Sequence, residues 1–360
     1  MTGRTPRPTL RDIAQATGLS PSTVSRALRG SSRISPATRQ LVTREASRLG
    51  YQVDLAASLL RSGRARNVGL LCRLDQELHF AYYRCLLGAA ERAGIRLVVE
   101  SVSQARPASQ ALGVLEQLRC RALVVIDPAG LDGLDVSSLA MPTVIIGQGP
   151  CEQADLVTSD NTTGMAQLAE HLRQAGHRQV AYLDGPSGRS ATARRHAFLT
   201  AATRSGLEVE LRPAGSCTDD GYTQTRAMME AGQLTPADSA VAGRVSALVC
   251  YNDQCAQGAV VALLRGGLRP GWDVAVSGCD NSRIASCQAF DLTSIDRRPE
   301  QVAALAVELA AARLEPGGGD GVDHRQVPAT VSRKVATQLV VRGSTSRVRL
   351  PPASQRVLGD

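Results

Sequence analysis

The stretch Thr9–Leu28, which reads TLRDIAQATGLSPSTVSRAL, decides the fold of the N-terminal part of this 360-residue chain. Leu10, Ile13 and Ala14 recur at the three- and four-residue steps of a helix. Gly18 follows, and glycine commonly ends a helix because it adopts the left-handed conformation without strain. The spacing therefore predicts a short helix that begins after Thr9 and ends at Gly18.

A second helix is predicted after a turn of three residues. Ser20-Pro21 places an N-capping hydroxyl before a proline at the first helical position, and Val24, Ala27 and Leu28 share one apolar face. Two short helices joined in this way form a helix-turn-helix.

A third helix start follows at Ser35-Pro36, and Gly50 ends that helix. Its apolar face is formed by Leu41, Val42, Ala46 and Leu49. Three amphipathic helices of this length predict a small, all-α N-terminal head, residues 1–50, with its own core.

The charge of the chain is unevenly distributed. The whole chain has 41 basic and 33 acidic residues, but residues 1–66 hold 12 arginines and three acids, a net charge of +9. The remaining residues are close to neutral, with a net charge of −1. A basic unit attached to a near-neutral body favours contact of the head with a polyanion, the alternative being a basic segment that only aids solubility.

The second helix of a helix-turn-helix lies in the DNA major groove with its N-terminal residues over the base edges. Arg26 on this helix is suited to bidentate recognition of guanine, whereas Thr23 and Ser25 are suited to phosphate oxygens. The alternatives are an exposed arginine and simple helix capping. The motif and the charge together predict DNA binding.

Thr9–Leu28, followed by Gly50-Tyr51, resembles the headpiece of the lactose-repressor/galactose-repressor (LacI/GalR) family of transcription regulators. Asp54–Arg61 is similar to the family's hinge helix, which inserts a leucine into the minor groove. The resemblance puts Leu60 at that position with Arg61 beside it, although Leu59 is adjacent and an amphipathic linker would also have an apolar face.

The resemblance predicts a set of DNA-binding residues and a double-stranded operator as the partner. The set comprises Thr9, Pro21, Ser22, Thr23, Ser25, Arg26, Arg29, Leu60 and Arg61. The chain departs from many family members at Val53, where they carry proline, and at Arg29, where they carry asparagine. Arg29 exchanges a neutral phosphate contact for a charged one.

Beyond residue 66 the pattern changes to alternating apolar strands and amphipathic helices. Two such series predict two lobes with parallel sheets covered by helices, and a small-molecule site in the cleft between them. Further segments resemble the family in order, namely Ser159–Gly164, His171–Arg178, Tyr251–Asp253, Ser277–Asp280 and Leu339–Gly343. The resemblance implies a periplasmic-binding-protein-like effector domain whose lobes exchange chain near Ser159 and Asp291.

The predicted organisation has four parts. Residues 1–50 form the helix-turn-helix head, 51–66 the hinge helix and linker, 67–345 the effector and dimerisation domain, and 346–360 a disordered tail. Within the effector domain, lobe 1 comprises 67–158 and 292–322, and lobe 2 comprises 159–291 and 323–341. Two heads are needed to cover a palindrome, so a homodimer is expected, with a tetramer as the alternative.

The candidate effector-binding residues are Arg194, Asn252, Asp253, Asp280 and Arg297. Polar groups at the carboxyl ends of parallel strands converge on a cleft, and a carboxylate facing a guanidinium suits hydroxyl or carboxylate ligands. For each residue, capping or exposure is the alternative. The expected effector is a sugar or related metabolite, and its effect on operator affinity could have either sign.

Two alternatives to this function remain open. Gly147 and Arg297 replace aspartate and glutamine of some relatives, and few aromatic rings are available for stacking, the candidates being Phe80, Tyr82, Tyr83, Tyr222 and Tyr251. A DNA-binding protein that ignores small molecules is one alternative. A small-molecule receptor is the other, and the basic head counts against it.

Sequence patterns typical of enzymes and of membrane proteins are not found. Gly185–Ser190 lacks the lysine and spacing of a phosphate-binding loop, the five histidines have no metal-ligand spacing, and neither a nucleophile elbow nor a signal peptide is recognised. Nine cysteines without a paired spacing are expected to be reduced thiols. We expect a cytoplasmic regulator, associated with the nucleoid when bound to DNA, that has no cofactor or metal and does not contact membranes.

Overall fold

The structure is a computed structural model that describes residues 8–28, 31, 33–51, 66–103, 105–131, 134–148, 152–236, 244–314 and 329–346. The chain divides into two units, Met1–Ala65 and Arg66–Asp360, which we call the headpiece and the body. The predicted hinge helix lies outside the described residues, and so does the predicted tail beyond residue 346.

The headpiece consists of three short helices, α1 (Leu10–Thr17), α2 (Pro21–Leu28) and α3 (Pro36–Arg48). Gly18 turns the chain between α1 and α2 with φ of +69°, where a side chain would be strained. The hydroxyl of Ser20 accepts a hydrogen bond from the Thr23 amide (3.1 Å) at the start of α2. The apolar faces meet in one small core of Ile13, Ala14, Val24, Ala27, Val42 and Ala46. The predicted all-α head is confirmed.

The body contains two lobes, each a six-stranded sheet with helices on both faces. The elements assigned to the first lobe are β1 (Asn67–Cys72), α4 (Glu77–Arg92), β2 (Arg96–Ser101), α5 (Ala108–Gln117), β3 (Ala122–Ile126), β4 (Thr143–Ile146), β5 (Asp155–Asp160), α10 (Pro299–Leu314) and β11 (Ser332–Ala336). Its strand order is β11-β5-β4-β3-β1-β2, and all described pairs are parallel.

The second lobe has the same plan. Its elements are α6 (Asn161–Gln174), β6 (Gln179–Asp184), α7 (Arg189–Ser205), β7 (Glu208–Pro213), α8 (Thr218–Glu230), β8 (Ala247–Cys250), α9 (Asp253–Arg265), β9 (Ala275–Cys279), β10 (Thr293–Asp296) and β12 (Gln338–Val340). The strand order is β12-β10-β9-β8-β6-β7, with only β12 antiparallel among the described pairs. The predicted two-lobed α/β class is confirmed.

Alternate strand residues serve the two helical layers, which explains why the central strands are apolar throughout. In β1, Leu70 packs toward α4 and α10, while Leu71 packs toward α5. In the second lobe, Leu248 packs with α8 and α9, while Val249 packs with α6 and α7. Strands buried on both faces are typical of parallel sheets.

Three crossovers connect the lobes, and two of them differ from the prediction. The first follows Asp160, close to the predicted Ser159. The second lies at Arg297-Arg298 and not near Asp291, because β10 pairs with β9 of the second lobe. The third lies at Thr337, so β11, predicted for lobe 2, belongs to lobe 1, where it pairs with β5 and Val335 enters the core.

Two observations concern the described residues as a whole. None of the helices in them combines the length and the apolar character required to cross a bilayer. Every cysteine in these ranges is a free thiol, and Cys151 lies outside them.

Candidate functional site

A cleft of about 310 Å³ lies between the two lobes of the body. It is bounded by residues that follow the carboxyl ends of strands from both sheets, as expected for open parallel sheets. Six charged side chains line it, namely Arg73, Asp127, Arg189, Arg194, Asp280 and Arg297. Arginines outnumber carboxylates two to one in this set.

Arg194 and Asp280 meet on the second-lobe wall of the cleft. Arg194 lies on α7 and is only 3% exposed, with Nη2 at 3.5 Å from Asp280 Oδ1. Its Nη1 donates to the carbonyl oxygen of Tyr251, and its Cζ lies 4.4 Å from the centre of that ring. Burial raises the pKa of Asp280, and the guanidinium groups of Arg194 and Arg297 oppose that rise. Arg194 and Asp280 were predicted to converge on the cleft, and they do. The alternative for Arg194, an exposed surface arginine, is wrong because the side chain is buried.

Arg297 lies on the second crossover and is 5% exposed. Its Nη1 donates to Asn161 Oδ1, and its carbonyl oxygen accepts a hydrogen bond from Ser159 Oγ (2.8 Å). Ser159 Oγ also lies 3.2 Å from the Tyr82 hydroxyl. Within the described ranges, Arg297 Nε is buried without a hydrogen-bond partner. This guanidinium is therefore held at the junction of the lobes with part of its donor capacity unused.

Asn252 and Asp253 differ from the prediction. Asn252 lines the cleft, but its Oδ1 caps α9 by accepting from the Cys255 amide (2.8 Å) and its Nδ2 donates to the Ser216 carbonyl oxygen (2.9 Å). Asp253 is not among the lining residues, because it starts α9 and turns its carboxylate inward. There it accepts from the Ser282 amide (2.7 Å) and the Ser294 hydroxyl (2.6 Å). Asp253 is thus a structural residue.

The N-terminal part of α2 presents exposed residues on the surface of the headpiece helix-turn-helix. Pro21, Ser22 and Arg26 are exposed, and Arg26 Nε donates to the carbonyl oxygen of Ser22 (3.3 Å). The hydroxyls of Ser22 and Thr23 both lie 2.9 Å from Ser20 Oγ, so they take part in the cap of α2.

The other predicted DNA contacts are only partly described. Thr9 is exposed, and both its amide and its hydroxyl donate to Asp12 Oδ2 at the start of α1. Ser25 is half-buried on α2. Arg29, Leu60 and Arg61 lie outside the described residues.

Comparison with known families matches two separate parts of the chain, one in the headpiece and one in the body. Residues 9–54, which contain the three headpiece helices, match the family described as bacterial regulatory proteins, lacI family. Residues 169–345 of the body match a periplasmic binding protein-like domain. The chain belongs to the LacI family of bacterial regulatory proteins.

Curated relatives of this LacI-family chain are transcriptional regulators. The HTH-type transcriptional regulator GntR of Pseudomonas aeruginosa is 26% identical over 85% of this chain and 89% of its own length. The lactose operon repressor of Escherichia coli is 25% identical over 98% and 94%. The LacI-family chain is accordingly a DNA-binding transcription regulator and not an enzyme.

The fold of the LacI-family chain has a close counterpart among solved structures. A crystal structure described as the lac repressor dimer bound to operator and the anti-inducer ONPF aligns with a TM-score of 0.75. The alignment covers 95% of this chain and all of that one at 24% identity, which shows a shared fold.

Several cleft residues of the LacI-family chain were missed by sequence reasoning. Asp127 follows β3 and accepts a hydrogen bond from the Ser190 hydroxyl of the other lobe (3.3 Å). His79 is buried, its Nδ1 accepts from the Arg73 amide (3.2 Å), and burial lowers its pKa, which favours the neutral ring. Arg73 and Asp127 each follow a strand. They could therefore have been predicted by the rule that predicted Asp280, namely that polar residues at the carboxyl ends of parallel strands converge on a cleft.

Two of the candidate rings line the cleft of the LacI-family chain, namely Tyr82 and Tyr251. The other three do not. Phe80 and Tyr83 pack against each other with ring centres 6.0 Å apart, and Tyr222 lies beside Arg265. Since Arg194 occupies a face of Tyr251, little aromatic surface is left for stacking on a ligand.

Proposed function

We propose that this regulator is a repressor that binds a palindromic operator as a homodimer, and that a small molecule held in the interlobe cleft modulates its operator affinity. The observation that carries the DNA part is the exposed N-terminal face of α2 on a unit that holds the net positive charge of the chain. Arg26 reads a guanine, and the other headpiece arginines meet phosphates. For Leu60 and Arg61, which lie outside the described residues, we propose contact with the minor groove.

The symmetry of the complex follows from the size of the headpiece. One recognition helix covers only a few base pairs, so specific binding needs two headpieces related by a two-fold axis. The lac repressor whose fold this chain shares was solved as a dimer on its operator. We infer the same arrangement here, in the cytoplasm, where operator DNA is accessible.

The body supports the effector part of the proposal. Its cleft has buried polar groups from both lobes, and Ser190 and Asp127 already form a contact across it. A ligand that closes the cleft would change the relative position of the lobes. Effector and operator affinities are then reciprocally coupled, typically by about 1–3 kcal/mol.

Arg26→Ala tests the DNA part. Selection of bound duplexes from a random pool should yield a palindrome for the wild type, and Arg26→Ala should lose preference at one position of each half-site, a cost of about 1–3 kcal/mol. The matched control is Arg44→Ala, which removes an exposed arginine on α3. It should leave the selected sequence unchanged, so unaltered selection by Arg26→Ala would remove Arg26 from base recognition.

The effector part is tested on the same selected operator. A thermal-shift screen of sugars, nucleosides and acidic metabolites identifies ligands, because a ligand that binds only the native state stabilises it by mass action. Each ligand should then change operator affinity in a binding titration. A ligand that stabilises the protein but does not change its operator affinity would contradict the coupling of the two sites. The protein would then be a DNA-binding regulator that this ligand does not control.

A further inference from the structure

We propose that the effector of this cleft carries an oxyanion, a carboxylate or a phosphate, which Arg297 binds. The inference rests on the proposed function and specifies its ligand class. It starts from two buried guanidinium groups at the lobe junction that have unpartnered donors.

Two buried guanidinium groups share one carboxylate. Asp280 is paired with Arg194 at 3.5 Å, and its charge also interacts with Arg297. Arg297 itself donates to the neutral amide oxygen of Asn161 and lies beside the neutral hydroxyl of Tyr82, and no carboxylate in the described ranges lies within ion-pair distance of it. A buried guanidinium without a counter-ion is costly, since charges removed from water need a partner. Glu77 is a second carboxylate whose charge reaches Asp280, but it forms no ion pair with Arg297, so Arg297 has no direct counter-ion in the described part of the chain.

The guanidinium groups of Arg194 and Arg297 have N–H donors that are available to an acceptor on a ligand. Arg194 Nε and Arg297 Nε are both buried without a hydrogen-bond partner in the described part of the chain, and both residues line the cleft. A guanidinium offers five N–H donors in a planar fork that matches the two oxygens of a carboxylate or phosphate. An oxyanion would use these unpartnered donors and provide Arg297 with a direct counter-ion.

A helix N-terminus on the second lobe faces the same cleft. α7 has 17 residues, its N-cap is Gly188, and no side chain caps it. Its first residues, from Arg189 to Ala191, line the cleft. The N-terminal amides of a helix carry a partial positive charge and bind anions. The buried Arg297 is the independent observation that makes this N-terminus part of an anion site.

The neighbouring groups do not cancel this preference. Arg73 pairs with Asp75 at 2.7 Å, and the carboxylates of Asp127 and Glu77 form no ion pair with Arg297. Tyr82 keeps its proton because burial raises its pKa, and burial keeps His79 neutral by lowering its pKa. A neutral sugar would leave Arg297 without a direct counter-ion, whereas an acidic metabolite would pair with it.

The test is a titration of the full-length protein with inorganic phosphate at constant ionic strength, with chloride as the balancing anion. Trp272, the single tryptophan, belongs to the body and reports its thermal unfolding. Phosphate should raise the melting temperature of the wild type. Arg297→Gln, which keeps a donor but removes the charge, should weaken phosphate binding about tenfold or more, seen as a smaller shift at each concentration.

Arg121→Gln is the matched control, because it removes an exposed arginine just before β3, at the opposite end of that strand from the cleft. It should respond to phosphate like the wild type, and each variant is compared with its own phosphate-free melting temperature. Equal shifts for all three proteins, or no shift of the wild type, would overturn the proposal.

Paired ligands separate this inference from the proposed function. D-glucose is compared with D-gluconate and with D-glucose 6-phosphate, which isolates a carboxylate and a phosphate on one skeleton. A cleft that binds D-glucose as well as its acids, with Arg297→Gln unchanged, would overturn the anion site and leave the effector cleft intact. Arg297-dependent phosphate binding, with no ligand of the screen altering operator affinity, would support the anion site and contradict the switch.

Discussion

Asp253 shows how the direction of a side chain decides between ligand contact and structure. The rule that polar residues after parallel strands converge on a cleft located both Asp280 and Asp253 correctly along the chain. It contains no information about which way each side chain turns at the start of a helix. Asn252 takes the capping role and Asp253 turns inward, a distinction that depends on contacts with Ser282 and Ser294, about thirty to forty residues away.

Asp253 also predicts a pH dependence of stability. Burial, with the nearby charge of Asp280, raises its pKa to about 7 from a usual value of 3.8. The folded state therefore binds one more proton than the unfolded state between about pH 4 and pH 7, so the stability due to this group is present below pH 4 and is lost as the pH rises to 7. Asp253→Asn should remove this loss of stability between pH 4 and pH 7.

The measurement is urea unfolding, followed by Trp272 fluorescence, at several values between pH 4 and pH 8. The free energy of unfolding of the wild type should fall relative to that of Asp253→Asn by up to about 1.4 kcal/mol per pH unit in this window, because one proton is involved. Parallel pH profiles for the two proteins would show that Asp253 is already ionised in the folded state at pH 4.

At the scale of elements, strands with continuous apolar runs could be predicted from the sequence, whereas strands interrupted by polar residues could not. The apolar runs of β1, β3 and β8 were recognised because both of their faces are covered. The edge strands β7, β11 and β12 were not predicted, because exposed residues such as Glu208 and Arg333 interrupt their pattern. The inner strands β5 and β10 were also not predicted, because they are short and rich in Asp, Ser and Thr. Such strands are defined by their partners in the sheet and not by their own hydrophobicity.

The packing of α8 on α9 gives a prediction at this scale. A Cβ added at Gly258 would lie 1.9 Å from the Thr218 carbonyl oxygen, and one at Gly221 would lie 1.9 Å from the Cys255 carbonyl oxygen. The two helices therefore approach backbone to backbone. Gly258→Ala should destabilise the body by about 1–3 kcal/mol, because the helices must separate to admit the methyl group.

Gly113→Ala is its control, since Gly113 lies within α5 and an added Cβ meets no atom within 4 Å. Alanine has the higher helix propensity, so this variant should stabilise the body by up to about 1 kcal/mol. The urea midpoint reported by Trp272 measures both effects. Two shifts of the same sign would contradict the close helix approach.

For the whole molecule, the fold class could be predicted from the alternation of elements and from the headpiece motif, but the exchange of chain between lobes could not. The second and third crossovers depend on β10 pairing with β9 and on β11 pairing with β5. The latter partners are separated by more than 150 residues. Local periodicity contains no signal for pairings of this range. The two lobes nevertheless come together at Arg297, which lines the proposed effector cleft and is the residue proposed to bind an anion.

The division of charge predicts which unit determines the salt dependence of operator binding. All of the net positive charge belongs to residues 1–66, and phosphate contacts there release counterions from DNA. Arg33→Gln removes an exposed headpiece arginine and should reduce the slope of log affinity against log salt by about 0.9 if it meets one phosphate. Arg121→Gln in the body should leave the slope unchanged. Fluorescence anisotropy titrations over a range of salt concentrations measure the slopes, and an equal reduction by both variants would mean that the near-neutral body also contacts the phosphate backbone.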